Sequence, residues 1–142
     1  MKNLTGLQLL QAMVDGEIPN KGLMANVNFS QVKIARGKFG FTFYPTVEHI
    51  NLQGTVHGGF LATIIDTVTT SSLLTLLGPN TAVVTLDLRC DFYKPAAPGS
   101  TLSAIADVDS VGRTVGFAHA KILDSNNQVI AKGSVTCSLI AG

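Results

Sequence analysis

The sequence predicts an α+β fold in which one buried helix is wrapped by an antiparallel sheet. Three observations carry this. Residues 60–77 make about five helical turns of apolar or hydroxyl-bearing side chains with Asp66 as their one charge, and a helix apolar on every side belongs inside a protein. Four strand-like runs follow it in succession, and strands segregated from helices argue α+β rather than a βαβ arrangement. A single apolar helix beside that many strands is buried when the sheet curls around it.

Taken in order, residues 4–14 place Leu4, Leu7, Leu10, Ala12, Met13 and Val14 at amphipathic spacing, and Gly16 and Pro19 end that short helix. Residues 20–24 connect it to two strand-like runs, 25–36 and 38–44, hinged at Gly37. The second alternates cleanly, with Phe39, Phe41 and Phe43 on one face and Gly40, Thr42 and Tyr44 on the other. Pro45 closes this hairpin. After the central helix, Gly78-Pro79-Asn80 is a stop signal. Strand-like runs then cover 81–93, 100–111, 114–123 and 128–140, with a Pro-rich loop at 94–99 and turns at 111–113 and 124–127. In the run 81–93, strict alternation sets Val83, Thr85, Asp87 and Arg89 against Val84, Leu86, Leu88 and Cys90. No repeat, low-complexity tract or linker marks a second unit, so 1–142 reads as one domain, with 1–24 as its leading helix and loop.

Composition narrows the function classes. A 142-residue chain is long enough to bury a core. Its 46% hydrophobic and 13% charged content leans toward burial, which fits a surface partly covered by other subunits. A net charge of +1 gives no electrostatic case for nucleic acid or an acidic membrane. Cys90 and Cys137 lie in strand-like runs without metal-ligand or CxxC spacing, the pattern of reduced thiols in a cytoplasmic protein. The N-terminus lacks the sustained apolar stretch and cleavage site of a secretion signal. A membrane span at 60–77 is opposed by Asp66, which costs about 2.5–3.5 kcal/mol at a bilayer centre, and by the seven Thr and Ser residues around it. His49, His57 and His119 are too scattered to predict a metal site.

The chemistry concentrates at 51–66. Gly58 and Gly59 open the central helix, where unpaired N–H groups and the positive end of the dipole can polarise a carbonyl. The same pair also serves as a plain helix start. His57 caps that helix or acts beside it. Asp66 lies nine residues on. As a carboxylate it can attack an acyl carbon or deprotonate water, or it can be a structural group held by Thr63, Thr69 and Thr70. Asn51 can hold a water or substrate oxygen, or close its own turn.

Together Asn51, Gly54, Thr55, His57, Gly58, Gly59, Ala62, Thr63 and Asp66 spell N-x-x-G-T-x-H-G-G-x-x-A-T-x-x-D. This pattern resembles the PaaI-like hotdog-fold acyl-CoA thioesterases, over roughly residues 39–140. The resemblance implies a hotdog fold paired across a homodimer, commonly assembled as a homotetramer, with sites between subunits. It implies that Gly58 N–H, with His57 nearby, polarises the thioester carbonyl, that Asn51 belongs to the same loop, and that Asp66 of the facing subunit is nucleophile or general base. Thr85, in V-T-L-D, matches the family's hydroxyl near the attacking water. Gly59 belongs to the same helix start, and Thr70 lines the acyl pocket. Coenzyme A, as part of the substrate and with no separate cofactor or metal, is placed along Tyr93, Lys94, Pro95 and Ala96 and the turn Gly112-Arg113-Thr114. Lys94 and Arg113 suit phosphate, or are solvated charges. The implied function is hydrolysis of a small, medium or aromatic acyl-CoA. Two other readings share the pocket: a non-catalytic acyl-CoA binding module, which has no need of Asp66, and a hotdog dehydratase, which pairs a loop His with a helix carboxylate at a different spacing.

Overall fold

The computed structural model describes residues 3–142; Met1 and Lys2, part of the stretch read for a leader, lie outside it. The element order is α1 (Gly6–Val14), a 3-10 turn (Gly22–Asn26), β1 (Phe29–Ala35), β2 (Lys38–Phe43), a 3-10 turn (Val47–His49), α2 (Gly58–Leu74), β3 (Thr81–Phe92), β4 (Leu102–Val111), β5 (Val115–Leu123) and β6 (Val129–Ala141). The six strands form one antiparallel sheet in the order β1-β2-β4-β5-β6-β3. Helix α2 packs against β2, β3, β4, β5 and β6, so the sheet curves around it. This is the hotdog architecture.

Burial follows the inward positions. Phe39, Phe41 and Phe43 face the core, and their rings meet edge to face with centroids 6.2 and 6.1 Å apart. Ile64, Ile65, Val68 and Leu73 of α2 are fully buried against Ala106, Ala118, Ala120 and Ala131, whose small side chains let the sheet approach the helix. At Gly133 the approach is closest: an added Cβ would lie 2.6 Å from Ile65 Cγ2 and 2.7 Å from the Arg89 carbonyl.

Helix α1 starts two residues later than the apolar spacing predicts, because Thr5 and Gln8 close a reciprocal capping box. The first strand begins at Phe29 rather than at residue 25. Residues 22–26 instead wind into a 3-10 turn whose end is fixed by Val27 N donating to the Met24 carbonyl. The strict alternation expected along β3 fails at Leu86. There the register slips, Thr85 pairing with Cys137 and Asp87 with Thr136, and a bulge of one residue exchanges the faces. Val83 and Thr85 face the helix before the bulge; Leu88 and Cys90 do so after it, opposite Val135 and Gly133.

β3 is an edge strand of 12 residues. Val84 is 45% exposed, Leu86 63% and Leu88 37%. A long edge carrying that much apolar surface is a template for pairing with another chain.

Candidate active site

Helix α2 starts where the sequence places the Gly-Gly pair. His57 is its N-cap: the Nδ1 atom accepts from Gly59 N at 2.8 Å, and the His57 carbonyl accepts from Phe60 N and Leu61 N. These bonds account for the second, third and fourth N–H groups of the helix. Gly58 N–H has no partner among the described residues. His57 is therefore the capping residue, its Nδ1 directed at Gly59, and Gly58 keeps the donor available for a ligand.

The preceding loop is tied together from within. His57 N donates to the His49 carbonyl at 2.7 Å, and the His49 ring stacks on Phe60 with centroids 4.0 Å apart. Asn51 Oδ1 accepts from Gln53 N and Thr55 N, and its Nδ2 donates to Thr55 Oγ1. The Asn51 side chain thus closes its own turn. One hydrogen of its amide is left over.

A cleft of about 320 Å³ opens beside this loop, lined by Asn51, Gly58, Phe92, Tyr93, Lys94 and Pro95 among others. The Phe92 ring sits over Gly58; a methyl group there would touch Cζ at 3.4 Å. The sequence pattern does not single out Phe92, although its place just before Tyr93 at the end of β3 is a signal for it. Lys94 is in an ion pair with Asp124 at 2.8 Å and also donates to Gln128 Oε1. That contact draws the Asp124 carboxyl below its ordinary range. Tyr93 lies under the Lys132 ammonium, 5.7 Å from its ring centre.

Asp66 is elsewhere. It is half-buried, and its Oδ1 accepts from Thr85 Oγ1 of β3 at 2.7 Å. The hydroxyls expected as its structural partners are otherwise engaged: Thr63 donates to the Gly59 carbonyl, Thr69 to the Ile65 and Asp66 carbonyls, and Thr70 to the Asp66 and Thr67 carbonyls. Two cysteines flank this carboxylate. Burial, then the charges of Asp91 and Asp66, pushes the Cys90 thiol up, and burial with Asp66 does the same at Cys137. Both thiols are unpaired.

The predicted residues therefore form two groups within one chain. Gly58 and Asp66 are eight residues apart on α2, about 12 Å at 1.5 Å per residue. Arg113 and Thr114 lie in the β4–β5 turn, beside Val115 paired with Ser138, whereas Tyr93 and Lys94 bind the Ile130 carbonyl. Eight residues of β6 separate those points, about 25 Å. Among the described residues no cluster of three or more His, Cys, Asp or Glu could hold a metal ion, and no helix is long and apolar enough to cross a membrane.

The model of the thioesterase superfamily matches residues 53–131, which spans the helix start, Asp66, Thr85 and Lys94. This chain belongs to the thioesterase superfamily. The family's reaction class is thioester hydrolysis. Human acyl-coenzyme A thioesterase 13 is 30% identical over 106 residues, 74% of this chain and 75% of that protein. Across the first curated relatives the match spans 64 to 75% of the relative's own length. Among solved structures, the Escherichia coli PaaI protein of the phenylacetic acid degradation operon superposes with a TM-score of 0.81 at 22% identity, covering 100% of this chain and 98% of that one. A Streptococcus mutans protein bound to acetyl-CoA superposes with a TM-score of 0.75 at 19% identity, covering 87% and 96%. At these identities the superpositions establish the fold, and the superfamily membership rests on the sequence match.

Proposed function

We propose that the protein hydrolyses acyl-CoA thioesters at a site shared between two copies of the chain. The observation that carries this is the separation of its two reactive groups. An unpartnered N–H at Gly58 and a carboxylate at Asp66 are both suited to acyl transfer, but about 12 Å along one helix is too far to serve one carbonyl.

Pairing the β3 edges antiparallel resolves the separation. Thr85 is bonded to Asp66, and Phe92 lies on Gly58. A two-fold axis between Leu88 and Arg89 sets Thr85 of one chain opposite Phe92 of the other, so the partner's Asp66 comes to this chain's Gly58. The partner's Arg113–Thr114 turn swings toward Lys94 by the same rotation, and the exposed Val84, Leu86 and Leu88 lie along the strand that becomes the seam. A C₂ interface of this kind makes two equivalent sites.

In the reaction the thioester oxygen accepts from Gly58 N–H, where the helix dipole favours the charge that develops. Asp66 of the partner subunit either attacks the carbonyl carbon or takes a proton from the water that does. The C–S bond breaks, the thiol leaves as coenzyme A, and water supplies the oxygen of the free acid. Thr85 aims one carboxylate oxygen and leaves the other to react. Coenzyme A runs along Tyr93, Lys94 and Pro95, its phosphates competing with Asp124 for Lys94. The Streptococcus mutans relative that holds acetyl-CoA and the human acyl-CoA thioesterase support this substrate class. Reduced, unreactive cysteines suit a cytoplasmic setting.

Thiol release from a panel of aliphatic and aromatic acyl-CoAs tests the reading. Wild type should turn over at least one member and Asp66→Asn should lose about a hundredfold or more. Binding without turnover in both proteins would instead favour an acyl-CoA binding module.

A further inference from the structure

A second cavity, of about 310 Å³, lies away from the cleft at Gly58, between α1, the bulged strand β1, β2 and the uncovered side of α2. Its walls include Met13 of α1, Met24, Phe29 and Phe41 of the sheet side, and Thr67 and Ser71 of α2. Resting on the thioesterase reading, we propose that this cavity receives the acyl chain of the thioester and sets a preference for straight chains of about eight to ten carbons. The chain enters the subunit that supplies the carboxylate.

Four features on that wall point to an apolar occupant. Thr67 directly follows Asp66 on α2, so the cavity wall begins on the residue next to the one that carries the carboxylate. Two of its polar groups are already satisfied within the protein: Thr67 donates to the Thr63 carbonyl, and Ser30 shares a hydrogen bond with the Tyr44 hydroxyl. Asn20, Gln31 and Ser71 add polar atoms at its border, and the rest is aliphatic, methionine and phenylalanine surface, with Phe29 and Phe41 ring centroids 5.0 Å apart, adaptable to a flexible chain. Strained backbone also borders the cavity. The β1–β2 register breaks between Ser30 and Lys33, and Gln31 in that break has a φ of +53°, left-handed for a residue with a side chain. Such outliers persist where surrounding structure enforces them, and bulges gather beside functional sites.

Size sets the number of carbons the space holds, and its adaptable methionine walls favour a flexible chain over a rigid ring. At roughly 30 Å³ per atom, the share of a water in the liquid, eight to ten carbons fill it. Each methylene buried there should raise kcat/KM about fourfold until the space is used.

The test is kcat/KM for acyl-CoAs from acetyl to palmitoyl, with wild type, Met13→Trp and Met24→Ala, alongside calorimetric binding of acetyl-, octanoyl- and decanoyl-CoA to Asp66→Asn. Wild type should climb to octanoyl or decanoyl and then level. Met13→Trp, which fills the cavity, should lower the decanoyl-to-butyryl ratio at least tenfold, and Met24→Ala, which enlarges it, should move the optimum two or three carbons longer. Turnover that is flat from butyryl onward, highest on an aryl-acetyl thioester, or scaled down equally at all lengths in both variants overturns the proposal. If no thioester is hydrolysed, the thioesterase reading fails; tighter binding of decanoyl- than acetyl-CoA then upholds the cavity, and equal binding overturns it too.

Discussion

Asp66 Oδ1 accepts a 2.7 Å hydrogen bond from Thr85 Oγ1, fastening the middle of α2 to β3 just before that strand's bulge. The bond does two things at once. It fixes the direction of the carboxylate, and it makes the position of Asp66 depend on the strand that forms the free edge of the sheet.

Thr85→Val should therefore damage turnover more than binding. A hydrogen bond to a charged group is worth about 1.5–3 kcal/mol, so kcat should fall about 10- to 100-fold with KM within a few-fold of wild type. Thr85→Ser, which restores the donor, should recover most of the loss. A Thr85→Val enzyme with wild-type kcat would show that Asp66 is oriented by something else.

Gly58→Ala separates chemistry from stability. A Cβ at Gly58 meets the Phe92 ring at 3.4 Å, an ordinary contact, and alanine favours helix over glycine by about 0.5–1 kcal/mol. The thermal midpoint should hold or rise. The added methyl occupies the approach to the one unpartnered N–H of the helix start, so kcat/KM should fall by about 10², the scale of losing an oxyanion donor. Parallel thermal melts and kinetics decide it, and unchanged kinetics would remove Gly58 from the site.

Much of the geometry of this candidate site is legible in the sequence, for definite reasons. Asp66 announces itself because a charge in an otherwise apolar helix needs a cause, and the N-x-x-G-T-x-H-G-G pattern marks the helix start that His57 caps. The swap of faces along β3 is hard to read there, since Val83, Val84, Thr85 and Leu86 before the bulge are all β-branched or apolar and only the charges of Asp87, Arg89 and Asp91 after it mark the outward face. Residues 25–28 carry no periodicity that separates a 3-10 turn from a strand. The apolar cavity is hidden for another reason. Met13, Met24, Phe29 and Phe41 are ordinary core residues by pattern, and the space between them arises from how α1 and the bulged β1 sit, which is tertiary. Thr70, expected to line an acyl pocket, donates to its own helix as Thr67 does, and it is Thr67 and Ser71 that border this cavity.

The Lys94–Asp124 pair makes a pH-dependent prediction. Lys94, with backbone N–H donors from Gln128 and Asn126, holds the half-buried Asp124 carboxyl below its ordinary value. A depressed folded-state pKa contributes stability that is present above the ordinary carboxylate pKa and is lost as pH falls through the lower, folded value. Lys94→Met should move the Asp124 titration upward, read by carboxyl-carbon NMR, and should raise KM for acyl-CoA if Lys94 also meets phosphate. An unmoved Asp124 titration would assign its shift to the backbone donors alone.

The shared site has a sharper consequence. If Gly58 and Asp66 of the same chain served one site, mixing two inactive variants would give nothing, because every active site would keep one lesion. With sites built across the β3 seam, a heterodimer of Gly58→Ala and Asp66→Asn chains concentrates both lesions in one site and leaves the other intact. Random re-pairing of equal amounts makes half the dimers mixed, each with one working site of two, so activity should return to about 25% of wild type. The mixture must be unfolded and refolded together, with a control in which the separately refolded variants are combined just before the assay. Recovery only after joint refolding places the partner's Asp66 at Gly58. Activity that never exceeds the sum of the two variants, in a preparation shown by mass spectrometry to contain mixed dimers, would mean that Gly58 and Asp66 work within one chain or do not work together.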